Sequence, residues 1–75
     1  MEILLYSTLG CHLCERAEAV ILQQTGVALK IVEIADDPAL LERYGARIPV
    51  ARRARTGQEL DWPFDVPAFR QWLKG

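Results

Sequence analysis

Seventy-five residues make one domain, spanning 1–75, with a small core. A hydrophobic fraction of 51% marks a globular chain rather than a disordered one, and a net charge of −1 argues against a general nucleic-acid binder. No apolar run approaches the about 20 residues a membrane span needs, and the N-terminus lacks a basic segment followed by a long apolar stretch, so a cytoplasmic chain with no membrane partner is expected.

Residues 2–7 read as a buried strand, carried by Ile3, Leu4, Leu5 and Tyr6. Residues 12–24 read as a helix. Leu13, Ala17, Val20 and Ile21 recur at helical spacing, and Glu15, Arg16 and Gln23 fall elsewhere. Thr25-Gly26 ends it, with Gly26 placed as a left-handed C′ residue. Residues 27–34 form the second strand. Strand, helix, strand in this order predicts a parallel pair joined by a crossover.

Asp36-Asp37-Pro38 opens a short helix, with Asp37 as N-cap and Pro38 in the first turn. Leu40, Leu41 and Tyr44 supply its apolar face, and Gly45 ends it. Ile48-Pro49-Val50 opens a third strand. Thr56-Gly57 reads as the turn into a short fourth strand at 58–61. Asp65 is placed as N-cap of a last helix that carries Phe69, Trp72 and Leu73. The element order is βαβαββα, an α/β chain.

One stretch fits its strand poorly. Arg47, Arg52, Arg53 and Arg55 lie in a segment without an acid. A central strand covered on both faces should be apolar on both, so the buried part of the third strand is expected to be short. These arginines read first as a solvated face. Their functional alternative is recruitment of an anionic partner beside Pro49. No aromatic side chains interleave with them as stacking on nucleic acid would require.

The chemistry concentrates at Gly10-Cys11-His12-Leu13-Cys14, which holds the only two cysteines. Two sulfurs at i and i+3, where a strand hands over to a helix, is the layout that thiol–disulfide exchange uses. A helix N-terminus carries partial positive charge and free N–H groups, and so favours a thiolate. Cys11 is therefore the expected nucleophile and Cys14 the thiol that closes onto it. His12 is a candidate modulator, since an imidazolium beside Cys11 would favour the thiolate further; it reads equally as an exposed residue of the first turn. Tyr6, Trp62 and Trp72 read as packing residues.

With Thr8-Leu9-Gly10-Cys11-His12-Leu13-Cys14 followed by Ile48-Pro49-Val50, the chain resembles the glutaredoxins and minimal thioredoxin-fold proteins, and among them a group of small bacterial glutaredoxin-like proteins. Ile34-Ala35-Asp36-Asp37-Pro38 and Trp62-Pro63-Phe64-Asp65 match that group too. The resemblance covers essentially the whole chain. It implies a minimal thioredoxin fold with a four-stranded mixed sheet flanked by helices. It implies that Cys11 is the exposed nucleophile and Cys14 the resolving thiol. It also implies a cis bond at Ile48–Pro49, with Pro49 opposite the cysteines and the Ile48 backbone turned toward an extended partner chain or glutathione. Asp65 is similar in position to the aspartate that meets the glutathione amino group.

The chain departs from the family's dithiol members in four places. It has Cys-His-Leu-Cys where they carry Cys-Pro-Tyr-Cys, no basic residue just before it, Ile48 where they carry Thr, and no Gly-Gly pair after the fourth strand. Glutathione is accordingly expected to bind weakly. The reading is a cytoplasmic dithiol oxidoreductase, monomeric, with a disulfide-containing protein or a small thiol as substrate and no cofactor. Two alternatives stand beside it. In one, two subunits pool their cysteines around a metal ion or an iron–sulfur cluster. In the other, the chain is a non-catalytic adaptor that keeps the fold's peptide groove.

Overall fold

The structure is a computed structural model and describes residues 1–75. Four strands form one sheet in the order β2-β1-β3-β4: β1 (Glu2–Ser7), β2 (Ala28–Glu33), β3 (Val50–Arg53) and β4 (Glu59–Asp61). β1 and β2 are parallel. β3 lies antiparallel to both β1 and β4, so the sheet is mixed as expected. Three helices flank it: α1 (His12–Leu22), α2 (Pro38–Tyr44) and α3 (Val66–Lys74), with a 3-10 turn at Ile34–Asp36 before α2.

The period of two in β1 divides the core. Ile3 and Leu5 pack with Ala17 and Ile21 of α1, Ala51 of β3, and Phe64 and Phe69. Tyr6 points to the other side of the sheet and packs with Ile34, Tyr44 and Val50. β3 is apolar only at its start. Val50 and Ala51 are fully buried, and Arg52 and Arg53 are half-buried. The short buried segment expected from the fading apolar character is therefore present.

Several expectations shift in detail. α1 ends at Leu22 with Gln23 as C-cap, two residues before the predicted end. Gly26 does take a left-handed φ of 79°, but it sits in the turn beyond the cap rather than at C′. The buried stripe of α1 is Cys14, Ala17 and Ile21, at i, i+3 and i+7. Leu13 lies off that stripe and is 44% exposed, because Cys14 takes the inward position assigned to it. In α2, Tyr44 is the buried residue, Leu40 is half-buried and Leu41 faces out. β2 is shorter than predicted because Ile34 leaves the strand to be buried in the 3-10 turn. β4 begins one residue later, at Glu59.

The caps are where the sequence placed them. Asp37 Oδ1 accepts the Ala39 N–H at 2.9 Å, and Asp65 Oδ1 accepts the Ala68 N–H at 2.8 Å. Both helices carry Pro in the first turn, where the missing N–H costs nothing. Both Ile48–Pro49 and Trp62–Pro63 are cis. The second was not foreseen.

Candidate functional site

β1 ends at Ser7, and Thr8-Leu9-Gly10 carries the chain to α1. Gly10 makes this turn with φ 79°, a conformation that a side chain would strain. Cys11 then sits as N-cap of α1, and its sulfur accepts the Cys14 N–H at 3.1 Å. The helix thus aims an orphan amide at Cys11 Sγ, which favours negative charge there.

Cys11 and Cys14 are joined as a disulfide, with their Cα atoms 5.2 Å apart. One turn of helix brings them to that separation, inside the range a disulfide spans. Cys14 is 2% exposed and belongs to the buried stripe of α1, whereas Cys11 is half-buried. An incoming reagent therefore meets Cys11 first.

His12 turns its ring to solvent, with a side-chain exposure of 93%, and its Nδ1 lies 3.3 Å from Glu15 Oε2. Pro49 is buried. The pairing of Tyr6 with Val50 places Pro49 level with Ser7, at the end of the sheet from which the cysteine loop departs. The Ile48 N–H donates to the Tyr44 carbonyl at 3.0 Å, so it is already engaged within the chain. Asp65 lies beyond Trp62 and Phe64 and lines a shallow second cavity with Arg16 and Trp62. The Arg16 guanidinium sits over the Trp62 ring, 5.8 Å from its centroid.

Two arginines of the cluster are neutralised from the neighbouring strand. Arg47 pairs with Glu59 at 3.0 Å and Asp61 at 2.7 Å. Arg52 stands opposite Glu59 in the β3–β4 register and reaches its carboxylate at 3.4 Å. Glu59 also accepts a hydrogen bond from the Tyr44 hydroxyl, and Tyr44 stacks on Tyr6 with ring centroids 4.1 Å apart. Burial works to raise the Glu59 pKa. The hydrogen bonds from Tyr44 and Arg47 and the two guanidinium charges outweigh it and hold the carboxyl below its ordinary range. Burial and that carboxylate together push the Tyr44 hydroxyl up. Arg53 lies over Trp72 and donates to the Trp72 carbonyl in the last turn of α3, where the helix favours a cation. Three of the four arginines thus serve the fold, which removes them as free anchors for an anion.

Two features of the site were missed. Glu33, at the end of β2, accepts the Leu9 N–H at 3.0 Å and the Ala35 N–H at 3.2 Å. It ties the loop before Cys11 to the neighbouring strand, and these two bonds lower its pKa. The second feature is a cavity of about 620 Å³ that reaches from both cysteines to the end of β2. No sequence signal joins Glu33 to Leu9, since 24 residues separate them. No group of three or more His, Cys, Asp or Glu side chains converges as a metal cage, so a pooled-cysteine cluster would draw its remaining ligands from a second copy.

A family model described as a glutaredoxin-like domain matches residues 2–74. The X-ray structure of the structural-genomics target protein XcR50 from X. campestris is similar, with a TM-score of 0.89 at 46% identity over 96% of this chain and 95% of that one. The solution structure of the same target gives a TM-score of 0.86 at 46% identity over 99% and 94%. No curated protein matches the chain.

Proposed function

This chain belongs to the glutaredoxin-like domain family, and from that premise we propose that it is a dithiol thiol–disulfide oxidoreductase acting through Cys11 and Cys14. One observation carries the reading: an accessible sulfur caps a helix N-terminus and is bonded to a buried sulfur one turn away.

In the reduced protein, the Cys11 thiolate attacks one sulfur of a substrate disulfide. A Cys11–substrate S–S bond forms as the substrate's own bond breaks. The displaced sulfur leaves as a thiolate and takes a proton. Cys14 then loses its proton and attacks Cys11 Sγ. The second substrate sulfur leaves, and the Cys11–Cys14 disulfide remains. Two electrons have passed to the substrate. A dithiol, or two thiols, from outside the chain restores the reduced state. In this reading the Ile48–Pro49 segment, at the end of the sheet from which the cysteine loop departs, meets the substrate chain, and His12 lies at the solvent edge.

The electron donor in this reading is a protein dithiol rather than glutathione. Arg47 and Arg52 are held by Glu59, and Arg53 by Trp72, so they do not stand free to bind the glutathione carboxylates. Asp65 remains as a contact for an amino group, with one oxygen already capping α3. Each charge-assisted hydrogen bond that is absent weakens such a ligand by about 1.5–3 kcal/mol. The reading places the chain in a reducing compartment; no helix is long and apolar enough to cross a membrane.

The test is a trap. Cys14→Ser removes the resolving sulfur, so a substrate should stay disulfide-linked to Cys11 in cell extract and come off with dithiothreitol. Cys11→Ser should trap nothing. The absence of any Cys11-linked adduct, together with no reduction of a small disulfide by the wild type, would sink the reading. Robust turnover with glutathione alone would overturn the choice of donor while leaving the exchange chemistry intact.

A further inference from the structure

The two sides of the disulfide differ in charge. On the Pro49 side Arg47 and Arg52 are matched by Glu59 and Asp61 within the fold. The cavity of about 620 Å³ opens on the opposite side, between the start of α1 and the end of β2. Four carboxylates line it: Glu15, Glu18, Glu33 and Asp36. No Lys, Arg or His is among its lining residues. His12 touches Glu15 from outside it. Glu33 is held by two backbone N–H groups, which fixes its negative charge in place. Beside these acids lie exposed apolar side chains, Leu9 at 92% and Ile31 at 45%.

A substrate disulfide must come within bonding reach of Cys11 Sγ, so the residues flanking its cysteine run over one or both sides of that sulfur. A flank laid into this cavity meets an apolar surface rimmed by negative charge. An acidic flank is repelled there, whereas a lysine or arginine finds several carboxylates and its methylene stem finds Leu9 and Ile31. We propose that this cleft binds the basic, apolar flank of a protein disulfide substrate and so selects among substrates. The proposal names the substrate class of the same site and rests on the oxidoreductase reading of Cys11 and Cys14.

The test uses three disulfides with the reduced protein. Two are peptides of identical length, each a disulfide with a thiopyridyl leaving group on its single cysteine, flanked by Lys-Leu-Lys in one and Glu-Leu-Glu in the other. The third is a small uncharged disulfide. Release of the thiopyridine chromophore gives the rate with each peptide. The basic peptide should react about tenfold faster than the acidic one at low salt, equal to about 1.4 kcal/mol of discrimination. The ratio should shrink toward one in 1 M salt, where the Debye length falls to about 3 Å. In Glu15→Gln combined with Glu18→Gln and Asp36→Asn the ratio should collapse several-fold, whatever happens to the absolute rates. Glu33 is left intact because it holds the cysteine loop.

A ratio near one in the wild type, or a ratio unmoved by the triple variant, overturns the proposal. Failure of the uncharged disulfide to react through Cys11 overturns the oxidoreductase reading instead. Binding of the basic peptide with Ser in place of its cysteine, followed by fluorescence anisotropy, then judges the cleft without chemistry. Tighter binding than the acidic counterpart, lost in the triple variant, upholds it, and equal binding ends it.

Discussion

The two faces of the sheet solve the same burial problem with different chemistry. Under α1 and α3 the buried cluster is apolar, from Ile3 and Leu5 to Phe64 and Phe69, with Arg53 at its edge over Trp72. Under α2 the buried set is four residues, and two of them are tyrosines stacked on one another. α2 has seven residues, about two turns, and so is too short to roof β3 and β4 as well. The Tyr44 hydroxyl, Glu59, Arg47 and Arg52 cover what it leaves. The lesson is that a short helix can be compensated by a polar network, provided each charge entering the half-buried region brings its partner. Such a face depends on pH and salt. Its apolar counterpart depends on them far less.

The largest effect should come from the apolar face. Phe69 is fully buried between Phe64 and Trp72. Phe69→Ala should cost about 3–5 kcal/mol, a large share of what a domain of this size has, and urea titration measures it. Arg47→Ala, on the polar face, should cost less than about 1 kcal/mol, because Arg47 is 38% exposed and water screens its pairs. Equal losses in the two variants would break the contrast between the faces.

The next effect is smaller and sharper. Tyr44→Phe keeps the ring stack on Tyr6 and removes only the hydroxyl that meets Glu59. A loss of about 1–2 kcal/mol is expected, since a carboxylate with 19% exposure then has only the arginines left. The same carboxylate sets the acid response. Its folded pKa lies below its ordinary value of 4.5, so its contribution is fully present above that value. The contribution is lost as pH falls through the lowered folded pKa. Urea midpoints measured downward from pH 6 should therefore drop more steeply in the wild type than in Glu59→Gln. Parallel curves would show that the network carries no pH-dependent stability. At the alkaline end the sign reverses for Tyr44. Its pKa is raised, so its contribution is intact below its ordinary value of 10.0 and fades as pH rises above it.

Local signals in the sequence reached the elements, their order and both aspartate helix caps, because strand alternation, helical spacing and an Asp one or two residues before a Pro are written within a few residues of one another. The apolar stripe of α1 was read one residue off. Leu13 and Cys14 are both apolar, and periodicity alone could not say which turned inward. The acids that neutralise the arginines were the near miss. Glu59 and Asp61 are two apart on a strand, hence on one face, and the hairpin at Thr56-Gly57 fixes which arginine Glu59 opposes. The acid-lined cavity was out of reach. Its walls come from α1, the end of β2 and the 3-10 turn, and only the parallel packing of β1 against β2 brings them together.

The smallest effect on stability should be the most informative about the site. Glu33 ties the Thr8-Leu9-Gly10 loop to β2, through the Leu9 N–H. It lies near the surface and packs against no core cluster, so Glu33→Gln should leave the urea midpoint nearly unchanged. The amide keeps an acceptor oxygen but loses the charge that shortens and strengthens such bonds. The loop should then open more often, and exchange of the Leu9 amide hydrogen should rise several-fold. In the wild type that protection should persist above pH 4.5 and fade as pH falls through the lowered pKa of Glu33, whose carboxylate is held by the Leu9 and Ala35 N–H groups. The chemical readout is alkylation of Cys11 in the reduced protein. If the loop positions the sulfur at the helix terminus, its rate should shift several-fold in Glu33→Gln while the midpoint stays put. A Leu9 amide that exchanges alike in both proteins would show the loop to be held by Gly10 and by the Cys11 N–H to Thr8 carbonyl bond, at 3.3 Å, without help from β2.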